Sequence, residues 1–241
     1  LPHTLEVSSN VGVSRIIDEY YHNNPEKFVR GIYRTGLTAD LHIPIVGATS
    51  ARVRMPKKNS RGQYVNWPKT SLPWMSIGYE TQIPPISTLT FYNAIANNGK
   101  MMQPRFVKAV LKNGEVVQEF PPQVVKGHEQ IASPKTIKIM QTSLRHVVSQ
   151  GLGRKAGSTS FEVSGKTGTA QIAMGSAGYK GAGVHYLLSF AGYFPSNAPR
   201  YSCIVCIQKS GLPASGGGMS GLVFHHIAEG IMAKDIKLDV K

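Results

Sequence analysis

The sequence predicts an α+β fold built around one antiparallel sheet. Helical patterns dominate the first 150 residues, three strand-like segments follow, and a final helical pattern closes the chain. Helices and strands that are segregated in this way are typical of α+β domains, whereas regular alternation would indicate a parallel sheet. A chain of 241 residues is long enough for one sizeable core, so we predict a single domain over residues 1–241.

Apolar spacing and end signals predict the main helices. SSNVGVSRIIDEYYHN offers Ser8 or Ser9 as a helix cap, and PISTLTFYNAIANNG ends in an Asn-Asn-Gly stop. SPKTIKIMQTSLRHVVSQG begins with Ser-Pro and ends at Gly151. A last helix is expected over Ser220–Ala233. Residues 25–74 are rich in turn-forming residues, with one short helical stretch, FVRGIY, so we expect an irregular region that serves a site.

The strand-like segments predict one hairpin and one meander. RFVKAVLKNGEVVQEF carries Asn113-Gly114 at its centre, a dipeptide that favours a tight hairpin turn. The meander is expected from three strands at Glu162–Ala173, Tyr186–Tyr193 and Tyr201–Lys209.

The charge balance favours an anionic partner. The chain has 27 basic and 13 acidic residues, a net charge of +14, which would attract nucleic acid, acidic lipid or acidic wall polymers. The basic residues are scattered, and the one cluster, Arg52–Arg61, has no interleaved aromatic residue for stacking on bases. We therefore predict no nucleic-acid binding. The alternative is a basic nucleic-acid or polymer binder, whose affinity would fall steeply with salt and which would have a continuous positive face.

Metal and cofactor motifs are not found. Cys203 and Cys206 lie three apart in a strand-like run, so they point to opposite faces, and we expect them to pack in the core. His225-His226 lacks the further ligands of a zinc site. GLGRKA follows a helix and not a strand, which excludes a dinucleotide site. The sequence predicts neither a metal nor a cofactor.

Two short motifs carry the candidate chemistry. Ser8-Ser9-Asn10 lies at the head of a predicted helix, and Lys166-Thr167-Gly168 lies on a predicted strand. Alone, the first reads as a helix cap and the second as a strand lysine that reaches water. Together they are two of the three motifs of serine β-lactamases and penicillin-binding proteins.

The chain resembles the C-terminal part of the transpeptidase domain of class B penicillin-binding proteins, of the septal peptidoglycan synthase type. The resemblance runs nearly end to end, through SSNVGVSRI, SIGYETQIPPISTLTFYNAIANNGKMMQP, VSGKTGTAQ and SFAGYFPSNAPRYSCIVCI. It implies a penicillin-binding protein/β-lactamase-like fold without its N-terminal strands. Glu80 departs from the family, which often has glycine there.

The resemblance implies acyl transfer on stem peptides that end in D-Ala-D-Ala. Ser8 would relay a proton toward the leaving group, and Asn10 would hold the side amide of the substrate. Lys166 would bind Ser8 and supply positive potential for the terminal carboxylate. This chemistry needs an activated serine and a site for the developing oxyanion.

The strand would seat the substrate itself. Thr167 and Thr169 would offer hydroxyls to the carboxylate, and the Thr169 amide would form part of the oxyanion hole. Gly168, which has no side chain, would let the substrate backbone lie against the strand.

The third family motif, S-x-x-K, is absent, since no serine in the 241 residues has lysine three positions later. We expect the chain, which starts with Leu1, to be a piece of a membrane-anchored, extracytoplasmic protein that also binds β-lactams and division proteins. We expect the piece alone to be inactive, and an unpaired edge at Tyr201–Lys209 to promote self-association. The alternatives are a carboxypeptidase or β-lactamase, though Ser9 stands where class A β-lactamases have Asp, and a non-catalytic scaffold module.

Overall fold

The computed structural model describes residues 2–173, 175–180 and 183–239. The chain divides into two compact units: a sheet unit, Leu1–Ser9 with Lys135–Lys241, and a middle unit, Asn10–Pro134. Within the described ranges, no helix is both long and apolar enough to span a bilayer.

The sheet unit contains the predicted meander. Its elements are helix α1 (Pro2–Glu6), helix α6 (Pro134–Ser149, which begins at the last residue of the middle unit), strands β7 (Ser164–Ile172), β8 (His185–Phe194) and β9 (Tyr201–Ser210), and helix α7 (Gly221–Asp239). The strands pair antiparallel in the order β7-β8-β9, with Lys166 opposite Ala191 and Ala191 opposite Ile204. All three strands were therefore predicted correctly.

The core of the sheet unit lies between one face of the sheet and α7. Phe190 and Phe194 from β8 are fully buried and meet Phe224 of α7 at ring-centroid distances of 4.6 and 5.6 Å. Cys203 packs against this cluster, but Cys206 points to the opposite face and is exposed. The prediction that both cysteines pack in the core was wrong for Cys206, because strand alternation places the pair on different faces.

The middle unit consists of helices and three antiparallel two-stranded pairs. Its elements are α2 (Asn10–Tyr21), α3 (Pro25–Arg34), β1 (Arg52–Val53), β2 (Lys57–Lys58), β3 (Tyr64–Val65), α4 (Ser71–Ser76), β4 (Thr81–Gln82), α5 (Pro85–Ala96), β5 (Ala109–Lys112) and β6 (Glu115–Glu119). The pairs are β1-β4, β2-β3 and β5-β6. The last pair is the predicted hairpin, and Asn113 (φ 53°) and Gly114 (φ 85°) take the positive backbone angles of its turn.

Two local features concern residues that the sequence singled out, and the first differs from expectation. The first long helix begins at Asn10, so Ser8 is not its cap; Ser8 lies in the turn after α1 with φ of 50°. Glu80 also has a positive φ, 56°, a conformation that favours the glycine common in the family. Its carboxylate binds the Arg54 guanidinium at 2.5 Å and the buried Ser71 hydroxyl at 3.2 Å, which hold the loop in place.

Candidate active site

Ser8 and Lys166 are hydrogen-bonded although 158 residues separate them in the chain. Lys166 Nζ donates to Ser8 Oγ at 2.8 Å, and both residues belong to the sheet unit. The structure thus brings together one residue from each of the two motifs that the sequence singled out.

A backbone turn presents Ser8 to the strand. The Ser8 amide donates to the Leu5 carbonyl at 3.2 Å, and the Ser9 amide donates to the Thr4 carbonyl at 2.9 Å. Ser8 has a left-handed conformation, which is uncommon for a residue other than glycine and often marks a functional position. The turn holds the side chain outside any helix, within reach of Lys166.

Glu6 anchors this turn to the end of α6. The Glu6 carbonyl accepts from the Leu152 amide at 3.0 Å. Glu6 Oε1 lies 3.3 Å from His146 Nδ1, and Glu6 Oε2 lies 3.3 Å from His3 Nδ1. The side chain of Glu6 is only 14% exposed, so it is held between α1 and α6. Sequence analysis missed Glu6 because nothing in its spacing links it to His146.

Lys166 lies on β7 among neutral oxygen acceptors. Besides Ser8, its ammonium donates to the Thr167 carbonyl at 3.0 Å and to Thr167 Oγ1 at 3.3 Å. None of the ion pairs between described residues involves Lys166. Burial lowers the pKa of Lys166 to about 8, since desolvation disfavours the ammonium form. The side chain is thus a cation at neutral pH that loses its proton more easily than ordinary lysines do.

The remaining motif residues follow Lys166 along the same edge strand. Thr167 and Gly168 are half-buried and Thr169 is exposed. Thr169 Oγ1 accepts a hydrogen bond from the Gly216 amide at 3.1 Å. A Cβ at Gly168 would lie 2.4 Å from Ser189 Oγ, so a side chain there would displace that hydroxyl.

Asn10 is placed differently from the other site residues. It is the first residue of α2 in the middle unit, and its side chain is exposed. The cluster in the sheet unit therefore consists of Ser8 and the β7 residues, and the part of Asn10 in substrate binding stays a prediction.

The histidine pair His225-His226, near the start of α7, has a local structural contact. His225 Nδ1 lies 2.8 Å from the Gly157 carbonyl oxygen. No group of three His, Cys, Asp or Glu side chains that could hold a metal ion occurs among residues 2–173, 175–180 and 183–239.

Comparison with known proteins identifies the family. The family model for the penicillin-binding protein transpeptidase domain matches residues 2–229. Penicillin-binding protein PbpB of Mycolicibacterium smegmatis is 26% identical over 94% of this chain and 34% of its own length. A peptidoglycan D,D-transpeptidase FtsI homologue of Mesostigma viride is 27% identical over 65% of this chain and 28% of its own length. The chain thus spans about a third of the length of these curated relatives.

Solved structures show the same fold. Penicillin-binding protein 3 of Mycobacterium tuberculosis, in complex with aztreonam, superposes with a TM-score of 0.76 at 26% identity, over 97% of this chain and 51% of that one. The transpeptidase domain of penicillin-binding protein 3 of Burkholderia pseudomallei superposes with a TM-score of 0.71 at 26% identity, over 97% of this chain and 63% of that one. The α+β fold and the resemblance read from the motifs are both confirmed. The chain belongs to the penicillin-binding protein transpeptidase domain family.

Proposed function

We propose that residues 1–241 form the C-terminal portion of one peptidoglycan D,D-transpeptidase domain, which cross-links stem peptides through an acyl-enzyme. The hydrogen bond between Lys166 Nζ and Ser8 Oγ carries this proposal, because it joins two motifs that are far apart in sequence at one point of an edge strand. The family match supports one domain, since residues 2–229 run through both compact units.

The proposed reaction transfers an acyl group twice. A serine hydroxyl attacks the carbonyl carbon of the penultimate D-Ala, the new C–O bond forms, and the peptide C–N bond breaks to release the last D-Ala as an amine. An amine of a second stem peptide then displaces the serine and forms the cross-link. The serine proton must reach the departing amine in the first step, and this calls for a relay group.

Ser8 fits the relay role. Its oxygen accepts from the Lys166 ammonium, which leaves the proton of its own hydroxyl available to donate to the departing amine. Lys166 can donate a proton to Ser8 or accept one from it readily, because its pKa of about 8 is near neutral pH.

The strand supplies the proposed substrate contacts. Lys166 provides positive charge that no carboxylate among the described residues neutralises, which favours the terminal carboxylate of the stem peptide. Thr167 and Thr169 add hydroxyl donors, and the Thr169 amide forms part of the oxyanion hole. β7 is an edge strand, so the substrate backbone adds beside Gly168 as a further strand. Asn10 holds the side amide of the substrate.

The nucleophile is proposed to come from elsewhere in the same polypeptide. The 241 residues contain no S-x-x-K. We propose that the attacking serine and its lysine base lie in a longer protein, which is anchored in the membrane with this domain on the extracytoplasmic side. β-Lactams and division proteins are the expected partners of that protein. The second candidate function is a non-catalytic scaffold module, which a longer protein that also lacks S-x-x-K would favour.

Labelling with a fluorescent penicillin separates the two functions. The 241-residue chain and the longer polypeptide are each incubated with the probe and analysed by denaturing electrophoresis. We expect a covalent band from the longer polypeptide and none from the 241-residue chain. A band from the chain alone would contradict the proposed lack of a nucleophile. No band from either protein would overturn the enzyme assignment in favour of the scaffold.

A further inference from the structure

The glycine-rich turn before α7 packs its backbone directly on the strand that carries the candidate site. The turn, Gly216–Ser220, follows Ser215 in the run PASGGGMS. Gly216 and Gly217 are buried, and the Gly216 amide donates to Thr169 Oγ1 at 3.1 Å. The three successive glycines were the sequence signal for this contact, which sequence analysis did not use.

The close approach requires glycine. A Cβ at position 216 would lie 2.2 Å from the Gly168 carbonyl oxygen and 3.0 Å from that of Ser189. At position 217, a Cβ would lie 2.5 Å from the Leu152 carbonyl oxygen. These neighbours are backbone atoms of strands and loops, which cannot rotate away as a side chain does. Any larger residue at 216 must therefore push the turn off β7 and lengthen the bond to Thr169.

The turn holds its shape through bonds of its own. Ser215 Oγ accepts from the Gly218 amide at 2.9 Å, and the Ser215 carbonyl accepts from the Met219 amide at 2.9 Å. The Gly216 N–H is therefore a fixed donor that does not depend on Thr169 for its position.

This donor determines what the Thr169 hydroxyl can do. A hydroxyl has one proton to donate and lone pairs to accept with. Since a lone pair of Oγ1 is occupied by Gly216, the hydroxyl proton is free to bind another acceptor, and the side chain is exposed to solvent. The bond also favours one of the staggered positions open to a threonine side chain.

We propose that Gly216 is a positioning residue that orients the Thr169 hydroxyl as a hydrogen-bond donor to the terminal carboxylate of the substrate. This inference rests on the proposed function and adds a group that none of the sequence motifs contains. It predicts that changes at Gly216 weaken recognition of a carboxylate selectively, while equally crowded positions nearby act on folding alone.

The hydrogen bond itself is tested by amide exchange in the 241-residue chain. Thr169→Val keeps the shape but removes the acceptor, whereas Thr169→Ser retains it. We expect exchange of the Gly216 amide to accelerate roughly fivefold in Thr169→Val and to stay unchanged in Thr169→Ser. The Gly218 amide, which bonds to Ser215, is the internal control. Equal Gly216 exchange in all three proteins would overturn the proposed bond.

Carboxylate recognition is tested in the longer polypeptide. Labelling rates are measured with a penicillin and with the methyl ester of its carboxylate. We expect Gly216→Ala to slow labelling by the acid roughly tenfold while the ester rate changes little, since charge-assisted hydrogen bonds are worth about that factor. Gly217→Ala is the control for crowding, and Gly230→Ala, which has open space on α7, is the control for substitution itself.

The results distinguish a wrong positioning role for Gly216 from a wrong proposed function, on which that role rests. If Gly216→Ala slows the acid and the ester equally, as Gly217→Ala would, the positioning role is wrong. Thr169→Val must also slow labelling by the acid more than labelling by the ester, and Thr169→Ser must label at the wild-type rate. These two variants test the positioning role even when Gly216→Ala folds poorly. A wild-type protein that labels with neither probe overturns the proposed function and its carboxylate recognition, while the exchange experiment still decides whether Gly216 binds Thr169.

Discussion

Glu6 and His146 join the two sequence segments that make up the sheet unit, Leu1–Ser9 and Lys135–Lys241. Glu6 Oε1 lies 3.3 Å from His146 Nδ1, so the short helix α1 is held against α6 two residues before Ser8. The contact explains how a serine near the start of the chain stays within 2.8 Å of a lysine on β7.

Loss of this contact should change the environment of Lys166. We expect Glu6→Ala and His146→Ala to raise the pKa of Lys166 from about 8 toward its ordinary value, because a looser Ser8 turn admits water to the ammonium. The measurement is an NMR titration of the Lys166 side chain. His3→Ala is the matched control, since His3 contacts the same carboxylate but is 83% exposed. An unchanged pKa in Glu6→Ala and His146→Ala would contradict the anchoring role.

Lys166 should make the stability of the sheet unit depend on pH. Its pKa is about 8 in the folded chain and near 10.5 when unfolded, so the unfolded state binds more protons between these values. The free energy of unfolding should therefore rise as pH increases from 8 to 10.5, by about 1 kcal/mol once partial exposure is allowed for. Urea unfolding of wild type and Lys166→Met at pH 7 and 10 measures the difference. A Lys166→Met variant with the same pH dependence as wild type would show that the lysine is not desolvated.

The aromatic cluster should dominate the stability of the sheet unit. Phe224 is fully buried against Phe190 and Phe194, so Phe224→Ala should cost about 3–5 kcal/mol in the free energy of unfolding. Leu222→Ala, on the same helix but 43% exposed, should cost less than about 1 kcal/mol. Chemical denaturation followed by circular dichroism checks both values. Similar costs for the two variants would mean that α7 does not pack on β8 as described.

The outer edge of β9 should promote self-association of the 241-residue chain. In the part of the chain that the structure describes, β9 pairs only with β8, and its free backbone groups invite another strand. We expect concentration-dependent association in analytical ultracentrifugation under reducing conditions. Cys206→Lys should suppress it, because a lysine protects a strand edge, while Cys206→Ser should leave it intact. A wild-type chain that stays monomeric over the accessible concentration range would refute the prediction.

Local signals with strong physical causes were read correctly from the sequence. The Asn113-Gly114 turn and the three strands of the meander are built from residues with strong local backbone preferences, and the structure places them as predicted. The juxtaposition of Ser8 and Lys166 came from the family resemblance and not from spacing, because no local pattern connects residues so far apart.

The features that were missed depend on tertiary contacts. Helix α1 has five residues, too few for a periodic apolar pattern, and its contact with α6 keeps it in place. The left-handed conformation of Ser8 has no signal in the residue itself, because serine is not among the residue types enriched at positive φ. The roles of Glu6 and Gly216 are likewise visible only when distant backbone segments have come together.

A double-mutant cycle on Ser8 and Lys166 tests the central claim most directly. Penicillin labelling rates of the longer polypeptide are measured for Ser8→Ala, Lys166→Met and the double variant. If the two side chains act as one unit, each single change slows labelling and the double variant is about as slow as the slower single variant. Effects that multiply independently would contradict the account, since the hydrogen bond at 2.8 Å would then have no part in the chemistry.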